Sequence, residues 1–388
     1  MKFLKDRILP LFMTALLGGI LPACVYDDED TTGGPEQRDG FNISVAISAG
    51  NAPTARAYTG NLPDEGGAGA ENYIDINDLQ IYAFSTDGSN TLLAQIYPNS
   101  NHEGIMPPEV TPVGNTYYLK AELPYDTFSN NKKFKLVAVA NGGATSSDVN
   151  SDWGTLTMQT YSKDYPEGTA WIPKWNESGI PMFGVQKVSL VGYNFKTYNE
   201  FNPYLLEDIN MLRALAKVEV VDARENVANE ETVVSVGLSS YNTKGYLTTD
   251  CGDATTTENV MVARIPDDHG PSTTPLSFVR EGSKFTAYLP EYELGNADSR
   301  KIIVVEIQKK ESGETMTGHF ELFLAPYTAE GRPETDEEKL NEYPWQALLR
   351  NHIYRYKITQ VNWTEPVQGT VSYMVCPWER QSSEIEFD

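Results

Sequence analysis

Cysteine is scarce, with three in 388 residues (Cys24, Cys251 and Cys376), too few for a disulfide scaffold. Base is scarce as well: 30 Lys plus Arg stand against 54 Asp plus Glu, a formal net charge of −24. So acidic a surface repels phosphate backbones, which excludes nucleic acid as a partner. The four histidines, His102, His269, His319 and His352, lie far apart, and none stands at ligand spacing from a cysteine. No metal and no cofactor is expected. HExxH, GxSxG and P-loop patterns are missing, and Gly66-Gly67-Ala68-Gly69 lacks the helix and the distant acid of a dinucleotide site. Carboxylate pairs of the glycosidase kind occur by chance in any acidic chain, so they do not point to an enzyme. Beyond the first 23 residues no uninterrupted apolar run approaches 18 residues, so no transmembrane helix is expected in the mature chain.

What is there points to strands and export. Tyr at 22, Gly at 30 and Pro at 23 favour an all-β protein with many turns. Lys2, Lys5 and Arg7 precede an apolar stretch, Ile8 to Ile20, that is too short to span a bilayer. With Leu21-Pro22-Ala23-Cys24 it reads as a secretory signal, residues 1–23, ending in a lipobox whose Cys24 is acylated. Acyl chains at about 0.8 kcal/mol per buried methylene would hold the protein on a membrane. Removing the signal takes away three bases and one acid, leaving 27 against 53 and a net of −26. Val25-Tyr26 and the acidic run Asp27-Asp28-Glu29-Asp30 follow, then a Gly/Pro-rich linker to Gly40.

Phe41, Ile43, Val45 and Ile47 alternate with Asn42, Ser44, Ala46 and Ser48, the period of a half-buried strand. The strand sits between two flexible stretches, and the second carries Arg56-Ala57 among small, Pro-broken residues where proteases cut. Cleavage after Arg56 would remove lipid and strand together. Alternatively, this is an ordinary first strand followed by an ordinary loop arginine.

Further strands are predicted over 73–84, 117–123, 134–140, 185–191, 212–221, 233–238, 285–289, 302–307, 320–324, 353–358 and 369–375. One late helix is predicted, Thr335–Leu349. The polar, broken stretch Gly192 to Pro203 suggests a boundary between two β-rich halves, residues 57–205 and 206–388, after a lipidated propeptide 24–56. Near the C-terminus Val371, Tyr373 and Val375 alternate with polar or small residues up to Pro377, and Ile385 and Phe387 alternate again. Residues 369–376 could complete their own domain while only the tail is donated to another chain.

Several segments in order resemble the Bacteroidales fimbrillins, subunits of pili assembled from lipoprotein precursors. They are the lipobox, the alternating strand, Thr54-Ala55-Arg56-Ala57-Tyr58, Ile180-Pro181-Met182-Phe183-Gly184 and Leu212 through Val220. Tyr288-Leu289-Pro290-Glu291, Arg350 through Tyr356 and Val375-Cys376-Pro377-Trp378-Glu379 complete the series. The resemblance implies two tandem transthyretin-like β-sandwich domains with few short helices. It implies export to the outer membrane and cell surface as a lipoprotein lipidated at Cys24, with the membrane held through lipid until cleavage. A trypsin-like surface protease would then cut between Arg56 and Ala57 and free the strand of Phe41, Ile43, Val45 and Ile47. Arg38 is a second basic site, but cutting there would leave the strand in place. The opened groove would take a strand from another copy or a related pilin, with Val371, Tyr373, Val375, Ile385 and Phe387 as donor residues. The implied role is a fimbrial shaft subunit without enzymatic activity, supporting adhesion. An anchor or tip subunit, or a non-enzymatic surface lipoprotein that binds glycans, is the alternative.

Overall fold

A computed structural model describes residues 40–49, 69–88, 90–99, 102–143, 153–225, 231–249, 263–293, 301–324 and 347–378. The signal segment, Cys24, Arg38, Arg56, Ala57, Cys251, Ile385 and Phe387 lie outside the described residues, as does nearly all of the helix predicted over 335–349. At the end of that segment Ala347–Leu348 is extended and pairs with Tyr292–Glu293.

The protein is all-β. Among the described residues the α-helices are two short ones, α1 (Tyr125–Asn130) and α2 (Trp153–Thr157). Nine strands make the first sheet: β1 (Gly40–Ala49), β2 (Gln80–Ser85), β3 (Leu92–Tyr97), β4 (Glu109–Val113) and β5 (Thr116–Pro124). β6 (Lys133–Ala140), β7 (Met182–Ser189), β8 (Tyr204–Leu205) and β9 (Ile209–Arg213) complete it. Their order is β3-β2-β6-β7-β9-β1-β5-β4, with the short β8 lying on β1. β6 is buried from Phe134 to Ala140 without alternation, as expected of a strand covered on both faces.

The remaining described chain forms two further main sheets. One has the order β13 (Val279–Glu281), β14 (Lys284–Leu289), β10 (Ala216–Asp222), β17 (His352–Asn362), β18 (Gln368–Pro377). The other runs β12 (Leu276–Ser277), β11 (Thr232–Leu238), β15 (Ile302–Glu311), β16 (Glu314–Phe323). A core built on β1, β2, β5, β6, β7 and β9 lies under the first sheet. A second core gathers Val218, Val220, Val236, Ile303, Val305, Tyr356, Val371 and Val375.

Two predicted strands are cut short, each for a local reason. The strand expected over 73–84 begins only at Gln80. Ahead of it the Asp75 carboxylate accepts from the Asn77 backbone N–H at 2.9 Å, and the Asp78 N–H donates to the Asp75 carbonyl at 3.0 Å. An Asx-type turn thus outcompetes the ladder. The run expected over 212–221 is two strands in different sheets, β9 and β10, separated at Ala214-Leu215. Both of those residues are fully buried, so an unbroken apolar sequence conceals the break.

Candidate functional site

β1 is an interior strand. Along one edge it pairs antiparallel with β5 through nine residue pairs, from Gly40↔Pro124 to Ser48↔Thr116. Along the other it runs parallel to β9 at Ile47–Ala49 and to β8 at Ile43–Ser44. The register places Phe41 opposite Leu123, Ile43 opposite Ala121, Val45 opposite Leu119 and Ile47 opposite Tyr117, all on the core face. Phe41, Ile43, Val45 and Ile47 are each at most 1% exposed. At roughly 1.5–3 kcal/mol per side chain their burial is worth about 6–12 kcal/mol. Phe41 also meets two aromatic rings, Phe195 at 4.7 Å and Phe128 of α1 at 6.3 Å between centroids.

The other predicted strand residues have a different fate. β18 pairs with β17 through ten residue pairs, and Val371 and Val375 are 1% exposed in the second core. Tyr373 stacks against Tyr356 with centroids 5.0 Å apart. These three residues are therefore occupied within their own sheet, and the structure does not bring them to β1. Cys376, the next residue on this strand, is buried in the first core.

A second feature, invisible in the sequence, is a buried polar seam where several motif segments that carried the resemblance meet Glu71 and Asn72. Arg213, at the end of β9, is wholly buried. It donates to the carbonyls of Glu71 (3.1 Å) and Trp378 and to the Asn72 side-chain carbonyl, and its guanidinium lies 4.6 Å from the centroid of the Trp378 ring. Lys217 of β10 sits between two buried carboxylates, Glu71 at 2.8 Å and Glu219 at 2.9 Å. Arg355 closes on Glu219 at 2.6 Å, and the Tyr288 hydroxyl donates to Glu71. Asn351, held at a positive φ of 55°, accepts from the Arg213 N–H at 3.1 Å and donates its own N–H to Leu215 O at 2.9 Å. Its carbonyl accepts from the Trp378 N–H at 2.8 Å. Beside this, Arg350 pairs with Glu291 at 2.7 Å and caps the carbonyls of Leu247 and Tyr246, both at 2.9 Å.

The electrostatics are those of a closed network. Burial alone would push the Lys217 ammonium down, but Glu71 and Glu219 outweigh it and hold its pKa above the ordinary lysine value. Burial would likewise raise Glu219, yet Lys217 and Arg355 hold it below the usual carboxylate range. Burial and the Glu71 carboxylate push the Tyr288 phenol up. Burial drives His352 down to about 4, so it is neutral, with its Nδ1 2.7 Å from the Arg350 carbonyl. Lys217, Arg350 and Arg355 are matched to carboxylates while Arg213 donates to carbonyl oxygens, an arrangement suited to fixing segments in register. Among the described residues no three His, Cys, Asp or Glu side chains are grouped to hold a metal ion.

Searches against family models and against curated proteins return no match. Solved structures do match. The C-terminally truncated tip fimbrial protein Mfa3 from Porphyromonas gingivalis superposes with a TM-score of 0.51 at 16% identity, over 87% of this chain and 100% of that one. The fold is that of a fimbrial protein. Two further matches are candidate cell adhesion proteins. The one from Bacteroides eggerthii has a TM-score of 0.43 at 12% identity and covers 87% of this chain and 98% of that one. The one from Bacteroides ovatus has a TM-score of 0.40 at 11% identity and covers 89% and 100%. No helix among the described residues is long and apolar enough to cross a membrane.

Proposed function

We propose that the protein is a structural shaft subunit of a surface fimbria that supports adhesion and has no catalytic role. It is exported as a lipoprotein acylated at Cys24, cut after Arg56 by a trypsin-like surface protease, and polymerised by strand exchange. One observation carries this reading. β1 is an interior strand with four fully buried apolar side chains, and the covalent link that holds it to the rest of the chain runs through the Arg56 segment. Once that link is cut, only non-covalent contacts retain the strand. Its loss would leave β5, β8 and β9 with unpaired edges facing an apolar slot, a template for another chain's strand. Because β18 is committed to its own sheet, the donated segment is residues 379–388, with Ile385 and Phe387 as its apolar stripe. The partners are other copies of this chain and related pilin subunits.

The test is native trypsin treatment of the purified precursor, followed by intact-mass analysis and unboiled gel electrophoresis. The expected result is a chain starting at Ala57 and a ladder of denaturant-resistant multimers, abolished by deletion of residues 379–388. A chain that resists cleavage at Arg56, or is cut and stays monomeric, overturns the shaft reading. In that case an anchor or tip subunit, or a non-enzymatic glycan-binding lipoprotein, takes its place.

A further inference from the structure

We infer that the outer face of segment 191–206 is the docking surface for a second copy of this chain, outside the groove that takes the donated strand. The inference rests on the strand-exchange reading above. Segment 191–206 crosses the edge of β1 that β5 does not cover, and it does so at the strand's first half. Tyr204 and Leu205 form β8 on Ile43 and Ser44, the Leu206 N–H donates to the Ser44 carbonyl at 2.8 Å, and Phe195 packs inward on Phe41. Any chain that takes the place of β1 must therefore run against this segment.

Its outward side carries several exposed apolar side chains within sixteen residues. Phe201 is 89% exposed and Leu205 74%, with Val191 and Tyr193 also open to solvent. Tyr193 and Tyr198 stack on Tyr204, with centroids at 4.5 and 5.0 Å, so the aromatic face is held in a set arrangement. Tyr193 and Phe201 on this side are of the residue types enriched at the cores of protein interfaces.

Charge selects the occupant. Cut after Arg56, the chain keeps 25 bases and 47 acids, a net of −22, so two copies repel over most orientations. Segment 191–206 holds one base, Lys196, and one acid, Glu200, and is neutral overall. A neutral, aromatic face beside the strand-exchange slot is where two such acidic copies can approach. A second copy is favoured over an unrelated partner because the face is continuous with the slot that the second copy's tail fills. The two contacts then act together, the tail supplying one and the face the other, and the second becomes effectively intramolecular.

The experiment compares the full precursor with the double variant Val191→Ser, Phe201→Ser, both positions lying outside the strands that border the slot and both proteins cut with trypsin. Each is measured for multimer formation at fixed concentration and for binding of a synthetic peptide of residues 379–388. The variant is expected to bind the peptide as the parent does while forming multimers at least ten-fold more slowly. Multimer formation at the parent's rate overturns the inference. So does a variant that loses peptide binding and multimers in proportion, because the face would then only be shaping the slot. A parent that binds no peptide and forms no multimers overturns the strand-exchange reading itself, and the docking face with it.

Discussion

At the scale of single residues, the seam shows how buried charge is made tolerable. Lys217 has two carboxylates within 3 Å, and removing the ammonium leaves both Glu71 and Glu219 without their central cation. Lys217→Met is expected to cost about 3–5 kcal/mol, read as a shift of the urea unfolding curve of the full chain. His352 makes a pH prediction. Its folded pKa, about 4, lies below the ordinary value of about 6.5, so below pH 6.5 the unfolded chain binds a proton that the folded chain refuses. Stability is whole above pH 6.5 and falls by about 3 kcal/mol as the pH drops towards 4. Nearby, Arg350 keeps its charge throughout this range, so it adds no slope. In His352→Phe the loss between pH 6.5 and 4 should shrink by that amount, measured as the difference between the two proteins' urea midpoints across the series.

At the scale of elements, the alternation of Phe41, Ile43, Val45 and Ile47 identified β1 and its buried face from the sequence alone. It did so because period two is a local property of an extended chain with one side on a core. The central position of β1 was not legible. Its neighbours β5 and β9 come from residues about 75 and 165 positions away, and no local pattern encodes such pairing. The same distance explains why Arg213, Lys217 and Trp378 could be recognised as motif residues yet not as one cluster, and why Glu71 stood out in no motif at all. The buried face of Phe41, Ile43, Val45 and Ile47 gives a test of the element itself. A chain beginning at Ala57 should bind a peptide of residues 40–49, and the peptide carrying Val45→Asp should not bind measurably. Fluorescence titration with a labelled peptide reads the difference, and equal binding of the two peptides would show that the apolar face does not direct insertion.

At the scale of the whole molecule, charge would set the conditions for the proposed assembly. Subunits with a net of −22 repel over distances that salt shortens, from a Debye length of about 30 Å at 0.01 M to about 8 Å at 0.15 M. Multimer formation by trypsin-cut protein should therefore speed up several-fold between 10 mM and 150 mM NaCl, followed by light scattering. Assembly driven by attraction between opposite charges would slow instead.

Composition and periodicity by themselves determined the all-β class and the apolar face of β1, because each follows from residue type and nearest-neighbour spacing. The strands at 117–123, 134–140 and 302–307 were legible for the same reason. Only the tertiary structure decided that β1 lies inside a sheet, that Val371 and Val375 belong to their own core, and that the stretch at Gly192 to Pro203, which reads as a polar boundary, lies over β1 and turns an aromatic face outward. Those outcomes depend on which distant segments meet. That is settled by the packing of two cores and by the pairing of charges at the seam, quantities that a one-dimensional pattern does not contain.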